Sequence, residues 1–370
     1  MTEQRQPIDQ LRRNWPRDEQ SNKYLAVKVS IADSNPKEAD IISSLACRHH
    51  CGDNDLGKAM VPSTLDRFTI HGPNGDHACY VTAPARASLS ALKDGSWVRL
   101  FQLDVARALA AQLVLAVDYV HAQGFVHGDL HLGNILLKVP PSFDQLSPEQ
   151  LYEEYGAPEL EPVTHLDGDT LPPGVPSYGV APVWLGEASE KIMLAEARIL
   201  LSDFGEAFSY PGELKYTSRT PLVIRPPEAR FEPENPLSLQ SDVWSLACTI
   251  WISRHRGRLT CEHVDTLGIL PPEWWERWQA RQHKFTEDGK PINRNPYRSW
   301  EDRFEDSVQQ PRRDSGMPPF DANERDAIFD VLRPMLSFRP ENRPTTRQVL
   351  ESEWMVRWAL PEYGKILNHV

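Results

Sequence analysis

Two short polar motifs, each led in by an apolar run, constrain this chain more than any other feature. The first is F-V-H-G-D-L-H-L-G-N-I-L-L at 125–137, which sets His127, Asp129 and Asn134 at the spacing H-x-D-x-x-x-x-N. The second is L-L-S-D-F-G-E-A at 200–207, which carries Asp203-Phe204-Gly205. A D-F-G triplet alone occurs by chance. The two in this order, each after a strand-like run, do not read as a chance pairing.

The patterning around them is asymmetric. Residues 24–31 (YLAVKVSI) alternate and are β-branched, so they read as a strand. Residues 36–46 begin with Pro36 and put Ile41, Ile42 and Leu45 on one helical face. Strand-like runs at 65–71 and 77–82 flank Pro73-Asn74-Gly75, a hairpin signal. Residues 100–121 carry Leu109, Leu113, Val117 and Val120 at the spacing of a long amphipathic helix. An apolar helix is expected at 241–254, an amphipathic helix and polar loop at 271–310, and two or three short helices at 324–358. The expected fold class is therefore α+β, with a small strand-rich N-terminal part and a larger helical part. The expected division is a polar arm at 1–22, a small lobe at 23–85, a large lobe at 86–360 and a tail at 361–370. Residues 139–196 read as an insertion, proline-rich, acidic and aperiodic in its first two-thirds. It should stay open to protease between 142 and 172, with Tyr178, Val183, Trp184 and Leu185 docking on the larger lobe.

Composition narrows the function classes. The net charge is −12, which disfavours a generic nucleic-acid binder and favours basic peptides as partners. Five cysteines, an odd number, do not make a disulfide framework and point to a reducing compartment. The run C-R-H-H-C at 47–51 lacks a second ligand pair at finger-like spacing, so its thiols and imidazoles read as ordinary packing or surface groups. The first twenty residues are polar, and the most apolar stretch, 105–120, is broken by Arg107, Gln112 and Asp118. No signal peptide or membrane span is expected; the expected location is the cytoplasm, the nucleus or both.

The paired motifs resemble the catalytic loop and metal-binding triplet of protein kinases. That resemblance implies a two-lobe kinase fold and transfer of the ATP γ-phosphate to protein serine or threonine hydroxyls. Asp129 would act as base, with Asp203 and Asn134 on Mg²⁺. His127, Phe204 and Gly205 would be structural. Further matches extend the likeness along the chain. Ala26-Val27-Lys28-Val29 resembles the strand motif whose lysine meets the α- and β-phosphates, and Glu38 its helix partner. Thr82 would be the gatekeeper, Ala83 to Ala85 the hinge, and Leu136 the floor under adenine, with Ala26 above. Arg225-Pro226-Pro227-Glu228 resembles the end of the activation segment. Ser241-Asp242-Val243-Trp244 resembles the helix whose aspartate braces the catalytic loop. Arg339 to Pro344 resembles the late segment whose arginine, here Arg343, pairs with Glu228. The run G-P-N-G-D-H-A-C-Y-V at 72–81, the long insertion and Arg225 are similar to SR-protein kinases and related fungal enzymes, which implies basic Arg/Ser-rich substrates and a monomer.

The chain also departs from the kinase pattern. Gly128 replaces the arginine of H-R-D, so activation-segment phosphorylation at Thr217, Ser218 or Thr220 should be dispensable, with Arg225 ordering the segment instead. His131 replaces the usual lysine, a form similar to choline and aminoglycoside phosphotransferases. No glycine precedes Lys28, so the small lobe reads as truncated, without a phosphate loop, and Glu38 follows Lys28 by only ten residues. Two other readings therefore stand beside the active kinase: a pseudokinase or truncated kinase acting as a binding module, and a small-molecule phosphotransferase.

Overall fold

A computed structural model of the chain describes residues 15–18, 20–32, 37–47, 56–73, 75–172, 174–251, 259–296 and 298–368. Beyond Cys47, the C-R-H-H-C run lies outside these residues.

The chain enters as a two-residue hairpin, β1 (Arg17–Asp18) and β2 (Lys23–Tyr24). It continues into β3 (Ala26–Val29), then α1 (Lys37–Cys47), β4 (Asp66–Gly72) and β5 (Gly75–Thr82). β5 is central to an antiparallel sheet of order β3-β5-β4. Its registers pair Lys28 with Tyr80 and Ala26 with Thr82. Among the described residues β3 is an edge strand. The helical face read in the sequence has its physical cause here: α1 buries Ala39, Ile41, Ile42 and Leu45, the last fully, against the larger lobe.

After the hinge come β6 (Ala85–Ser88), α2 (Leu89–Asp94) and the long α3 (Leu103–Ala122). α3 buries eleven of its twenty residues and is the axis of the large lobe. The strands β7 (Phe125–Val126) and β8 (Ile135–Lys138) flank the first motif. In the insertion lie α4 (Pro148–Tyr155), β9 (Leu160–Pro162) and β10 (Tyr178–Val180). The strands β11 (Ile199–Leu201) and β12 (Phe208–Ser209) flank the second motif. β11 pairs with β8 and β12 with β7, so two motifs far apart in sequence meet side by side. Helices complete the lobe: α5 (Glu228–Phe231), α6 (Leu239–Trp251), α7 (Leu259–Leu267), α8 (Pro272–Arg277), α9 (Trp300–Phe304), α10 (Gln310–Asp314), α11 (Ala322–Met335), α12 (Thr346–Leu350) and α13 (Leu360–Asn368). The small sheet, large helical lobe and mixed class agree with the reading from patterning.

Three segments differ from that reading. Residues 361–368 are not a tail: they belong to α13, whose Tyr363 and Ile366 join the main core. The insertion is closed only at its start, while residues 156–172 are mostly exposed. Phe143 and Leu151 are buried, and Ser147 caps α4 through a reciprocal pair with Gln150, with Pro148 in the first turn. Tyr178, Val183 and Trp184 are each substantially exposed, but the Trp184 ring lies against Gly95 after α2 and the Leu185 carbonyl accepts from Arg86 Nε at 3.1 Å. The described end of the arm is not loose either. Trp15, Tyr24 and Phe143 meet edge-to-face at centroid distances of 5.4–6.3 Å. The Tyr24 amide donates to Asp144 Oδ1 at 2.9 Å, the Tyr24 hydroxyl to the Leu146 carbonyl at 2.8 Å, and Arg17 to the Asp144 carbonyl at 2.7 Å. The arm and the insertion each carry too little apolar surface to order alone; together they close a small second core.

Candidate active site

The first motif is held from beneath by one buried carboxylate. Asp242, on α6 and 2% exposed, accepts the His127 amide at 2.7 Å, the Gly128 amide at 3.0 Å and His121 Nε2 at 3.0 Å. His127 is fully buried, packs at a tilt against the Phe204 ring with centroids 4.9 Å apart, and reaches the Ser202 carbonyl through Nε2 at 3.1 Å. Burial pushes the His127 imidazole below its usual pKa, so it sits neutral, and its Nδ1 accepts the Asp129 amide at 3.3 Å.

Asp129 stands above this brace. Asn134 Nδ2 donates to its carbonyl at 3.0 Å and to Oδ2 at 3.4 Å, and His131 Nε2 lies 3.6 Å from Oδ2. Burial would raise the Asp129 carboxyl, but the bonds and charge of His131, with His127 and Asn134, outweigh it and hold the group below the usual carboxylate range. Its Oδ1 is buried without a partner among the described residues. Ser202 ties the second motif to the first by donating to the Asn134 carbonyl from both N and Oγ, at 2.8 and 2.9 Å.

Asp203 has left-handed backbone, φ +61°, which turns its carboxylate toward the sheet. There Lys28 Nζ reaches Glu38 Oε2 at 2.6 Å and Asp203 Oδ1 at 3.3 Å. Burial would lower the Lys28 ammonium, but Glu38 and Asp203 hold it above its usual pKa. The other Glu38 oxygen accepts the Phe204 amide at 3.1 Å. Helix, strand and second motif therefore converge on one carboxylate, despite the short spacing from Lys28 to Glu38. Tyr80, paired with Lys28 across β3 and β5, sets its ring 5.9 Å from Lys28 Nζ, and burial with the Glu38 charge pushes its phenol up, a neighbour the sequence reading did not include. Thr82 ends β5 opposite Ala26, Ala83 follows it, Ala85 opens β6, and Leu136 lies between the buried Ile135 and Leu137 on the other face of β8. Gly205 sits in the turn after Asp203.

No family model matches the chain. A serine/threonine protein kinase of Aspergillus fumigatus is 22% identical over 358 residues, covering 92% of this chain and 80% of that protein. The serine/threonine-protein kinase SRPK of Physarum polycephalum is 24% identical over 324 residues, 80% of this chain and 71% of that one. The protein kinase dsk1 of Schizosaccharomyces pombe is 31% identical over 123 residues, 32% of this chain and 23% of that one. A crystal structure of a kinase domain matches 92% of this chain and 89% of its own, with TM-score 0.55 and 17% identity, which shows the shared fold.

The chain belongs to the protein kinase superfamily. Within it, the similarity runs toward SR-protein kinases.

In this kinase the segment after Asp203 is ordered by its own groups. Gly128 has φ +77°, and a Cβ there would lie 2.9 Å from the Glu206 carbonyl oxygen, so an arginine cannot occupy this position in this conformation. Lys215 holds the same Glu206: its Nζ donates to the Glu206 carbonyl at 2.7 Å and also meets the Glu206 carboxylate. Thr220 Oγ1 donates to the Gly128 carbonyl at 3.0 Å, and Arg225 Nε to the Thr220 carbonyl at 2.9 Å. Ser218 and Thr220 are buried, while Thr217 is exposed.

The segment is anchored below by a buried ion pair. Arg343 donates to both Glu228 oxygens, at 2.8 and 2.7 Å, and to the carbonyls of Ser337, Gln240 and Phe338 at 2.8–2.9 Å. Ser241 Oγ adds a 3.0 Å bond to Glu228. The guanidinium is saturated and lies 5.1 Å from the Trp244 ring centroid. Among the described residues no helix is long and apolar enough to cross a membrane, and no cluster of His, Cys, Asp and Glu has metal-site geometry.

Proposed function

We propose that this serine/threonine protein kinase uses Asp129 as the base that orients a substrate hydroxyl and takes its proton. The observation that carries the reading is the unpartnered Asp129 Oδ1. Its Oδ2 and carbonyl are already engaged by Asn134 and His131, and its lowered pKa keeps it ionised at neutral pH. Asp203 and Asn134 offer a carboxylate and an amide oxygen, hard donors suited to Mg²⁺. When bound, that ion neutralises charge on the phosphate oxygens of ATP. Lys28, fixed by Glu38, meets the nucleotide phosphates, and Ala26, Thr82, Ala83, Ala85 and Leu136 line the adenine side. His127, Phe204, Gly205, Asp242, Glu228 and Arg343 hold these groups in place. The domain reading becomes a small lobe through residue 85 and a large lobe from 86 into α13, with the insertion at 139–196 packed against the entering arm.

A protein substrate rather than a small alcohol is favoured by the ordered segment at 204–228 and its Glu228–Arg343 anchor, which build a platform beside Asp129. The acidic net charge favours Arg/Ser-rich peptides. The acting form is proposed as a monomer in cytoplasm or nucleus. The test is phosphate transfer from Mg·ATP to three acceptors: an Arg/Ser peptide, choline and an aminoglycoside. Transfer to the peptide alone is expected. Transfer to choline or the aminoglycoside alone would replace this reading with the small-molecule one, and no transfer to any would favour the binding module.

A further inference from the structure

The large lobe contains a cavity of about 160 Å³ between α3, α6, α10 and α11, which the catalytic residues do not line. Its wall is mostly apolar, with Leu109, Leu113, Ile328, Leu332 and Trp354 contributing. Lys93, Arg99, Arg107 and Arg312 interrupt the apolar wall, and among these four only Arg312 carries buried donors without a partner. Arg312 is 2% exposed, and its Nη2 donates to the Phe101 carbonyl at 2.9 Å. Its Nε and Nη1 are buried with no partner among the described residues. The Phe320 ring centroid lies 5.1 Å from the guanidinium carbon and supplies a face but no counter-charge. The carboxylate of Glu324 acts on Arg312 only from a distance. Both its oxygens are taken by Arg107, and one also accepts Trp354 Nε1 at 3.3 Å.

A buried, unpaired guanidinium is among the costliest groups a fold can carry, and buried donors are almost always satisfied. Burial holds the Arg312 pKa down to about 10, so the residue still carries its charge at neutral pH. The cavity mouth is also cationic. Lys93 and Arg99 border both the cavity and an open groove shared with His131 and Gly133. Burial, with Arg99 nearby, lowers Lys93 to about 8. Nothing in the lining offers Arg312 Nε and Nη1 an acceptor, so the missing one would come from outside the chain.

We propose that this cavity binds a small amphiphilic monocarboxylate of about benzoate size. Its carboxylate would accept from Arg312 Nε and Nη1, and its apolar body would lie among Leu109, Ile328 and Trp354. The planar fork of an arginine matches a carboxylate in two parallel bonds. An apolar cavity of roughly 150 Å³ is known to hold a benzene ring. A phosphate fits less well, because two N–H groups would leave its remaining oxygens against hydrocarbon.

The test is calorimetric titration of the full 370-residue chain with benzoate and, separately, with benzyl alcohol, its neutral near-isostere. Benzoate should bind more tightly by about 10- to 100-fold, the usual worth of a charge-assisted bond. Arg312→Met should erase that margin while benzyl alcohol still binds. Ala110→Phe, which fills the cavity from α3, should abolish binding of both. Equal affinity for the two probes, no benzoate binding at millimolar concentration, or benzoate binding untouched by Ala110→Phe would each overturn the proposal. Should Arg312→Met not fold, the wild-type comparison and Ala110→Phe decide the matter without it.

Discussion

The two walls of the catalytic cleft are built to different standards. The lower wall carries Asp129, Asn134 and Asp203 on a base of buried hydrogen bonds from Asp242, His127 and Ser202, each between elements of the main core. The upper wall carries Lys28 on β3, an edge strand among the described residues, with a side chain 46% exposed and an ion pair open to solvent. Buried polar networks fix geometry because every alternative leaves a group unsatisfied. An exposed pair is screened and contributes little to holding its strand. The lower wall is therefore pre-organised chemistry. The upper wall gains its position from neighbours, chiefly Glu38, Tyr80 and the contact of arm with insertion.

The largest effect should come from the lower wall. Asp129→Asn should cut turnover by about 10²–10⁴-fold, the usual contribution of a positioned base, with an unchanged circular dichroism spectrum. Wild-type turnover in this variant would show that the braced wall is not the reactive one. The sign of the pH dependence follows from the depressed Asp129 pKa. The active, ionised form persists as pH falls through the usual carboxylate value of about 3.9, and is lost only below it. An acid limb of kcat/KM near neutrality would therefore belong to another group.

The next effect concerns stability. Glu228→Gln leaves Arg343, whose side chain is fully buried, without its counter-charge, and should cost about 3–5 kcal/mol in urea unfolding. A loss below about 1 kcal/mol would mean that this anchor is no stronger than an exposed pair.

The upper wall gives smaller and different effects. With β3 at an edge among the described residues and Lys28 half exposed on it, this chain should bind Mg·ATP more weakly than ordinary micromolar kinases and turn over slowly. Calorimetric titration measures it, and ordinary affinity would show that the open wall is closed some other way. Trp15→Ala should cost about 1 kcal/mol or somewhat more, by loss of a half-buried aromatic. It should also expose the insertion near Phe143 to protease; unchanged cleavage would detach the arm from this role. The smallest expected effect is none: phosphatase treatment should leave activity intact, because the buried Thr220 already bonds the Gly128 carbonyl. A large loss would show that the segment after Asp203 needs a phosphate after all.

The sequence was legible where period and motif act locally. The α1 face of Ile41, Ile42 and Leu45, the hairpin of β4 and β5, the length of α3 and both polar motifs could be read directly. One local signal was passed over. Ser147-Pro148-Glu149-Gln150 is a capping box with proline in the first helical turn, which forecast α4 inside a segment otherwise judged by its proline and acid content. The C-terminal helix was missed because Pro361 and Gly364 weaken its propensity, while burial of Tyr363 and Ile366 more than offsets that.

By itself, the sequence determined the fold class, the order of elements and the identity of the charged groups. Each of these depends on residues a few positions apart. Tertiary structure decided which of those groups meet. It brought Glu38 to the Phe204 amide, Glu206 to Lys215 across the turn that Gly128 permits, Trp15 onto Phe143, and left Arg312 with two N–H groups facing a cavity. The physical reason is that hydrophobic burial is non-directional and summed over the whole core. Hydrogen bonds and ion pairs form or fail only at the distances that this summed packing leaves between them.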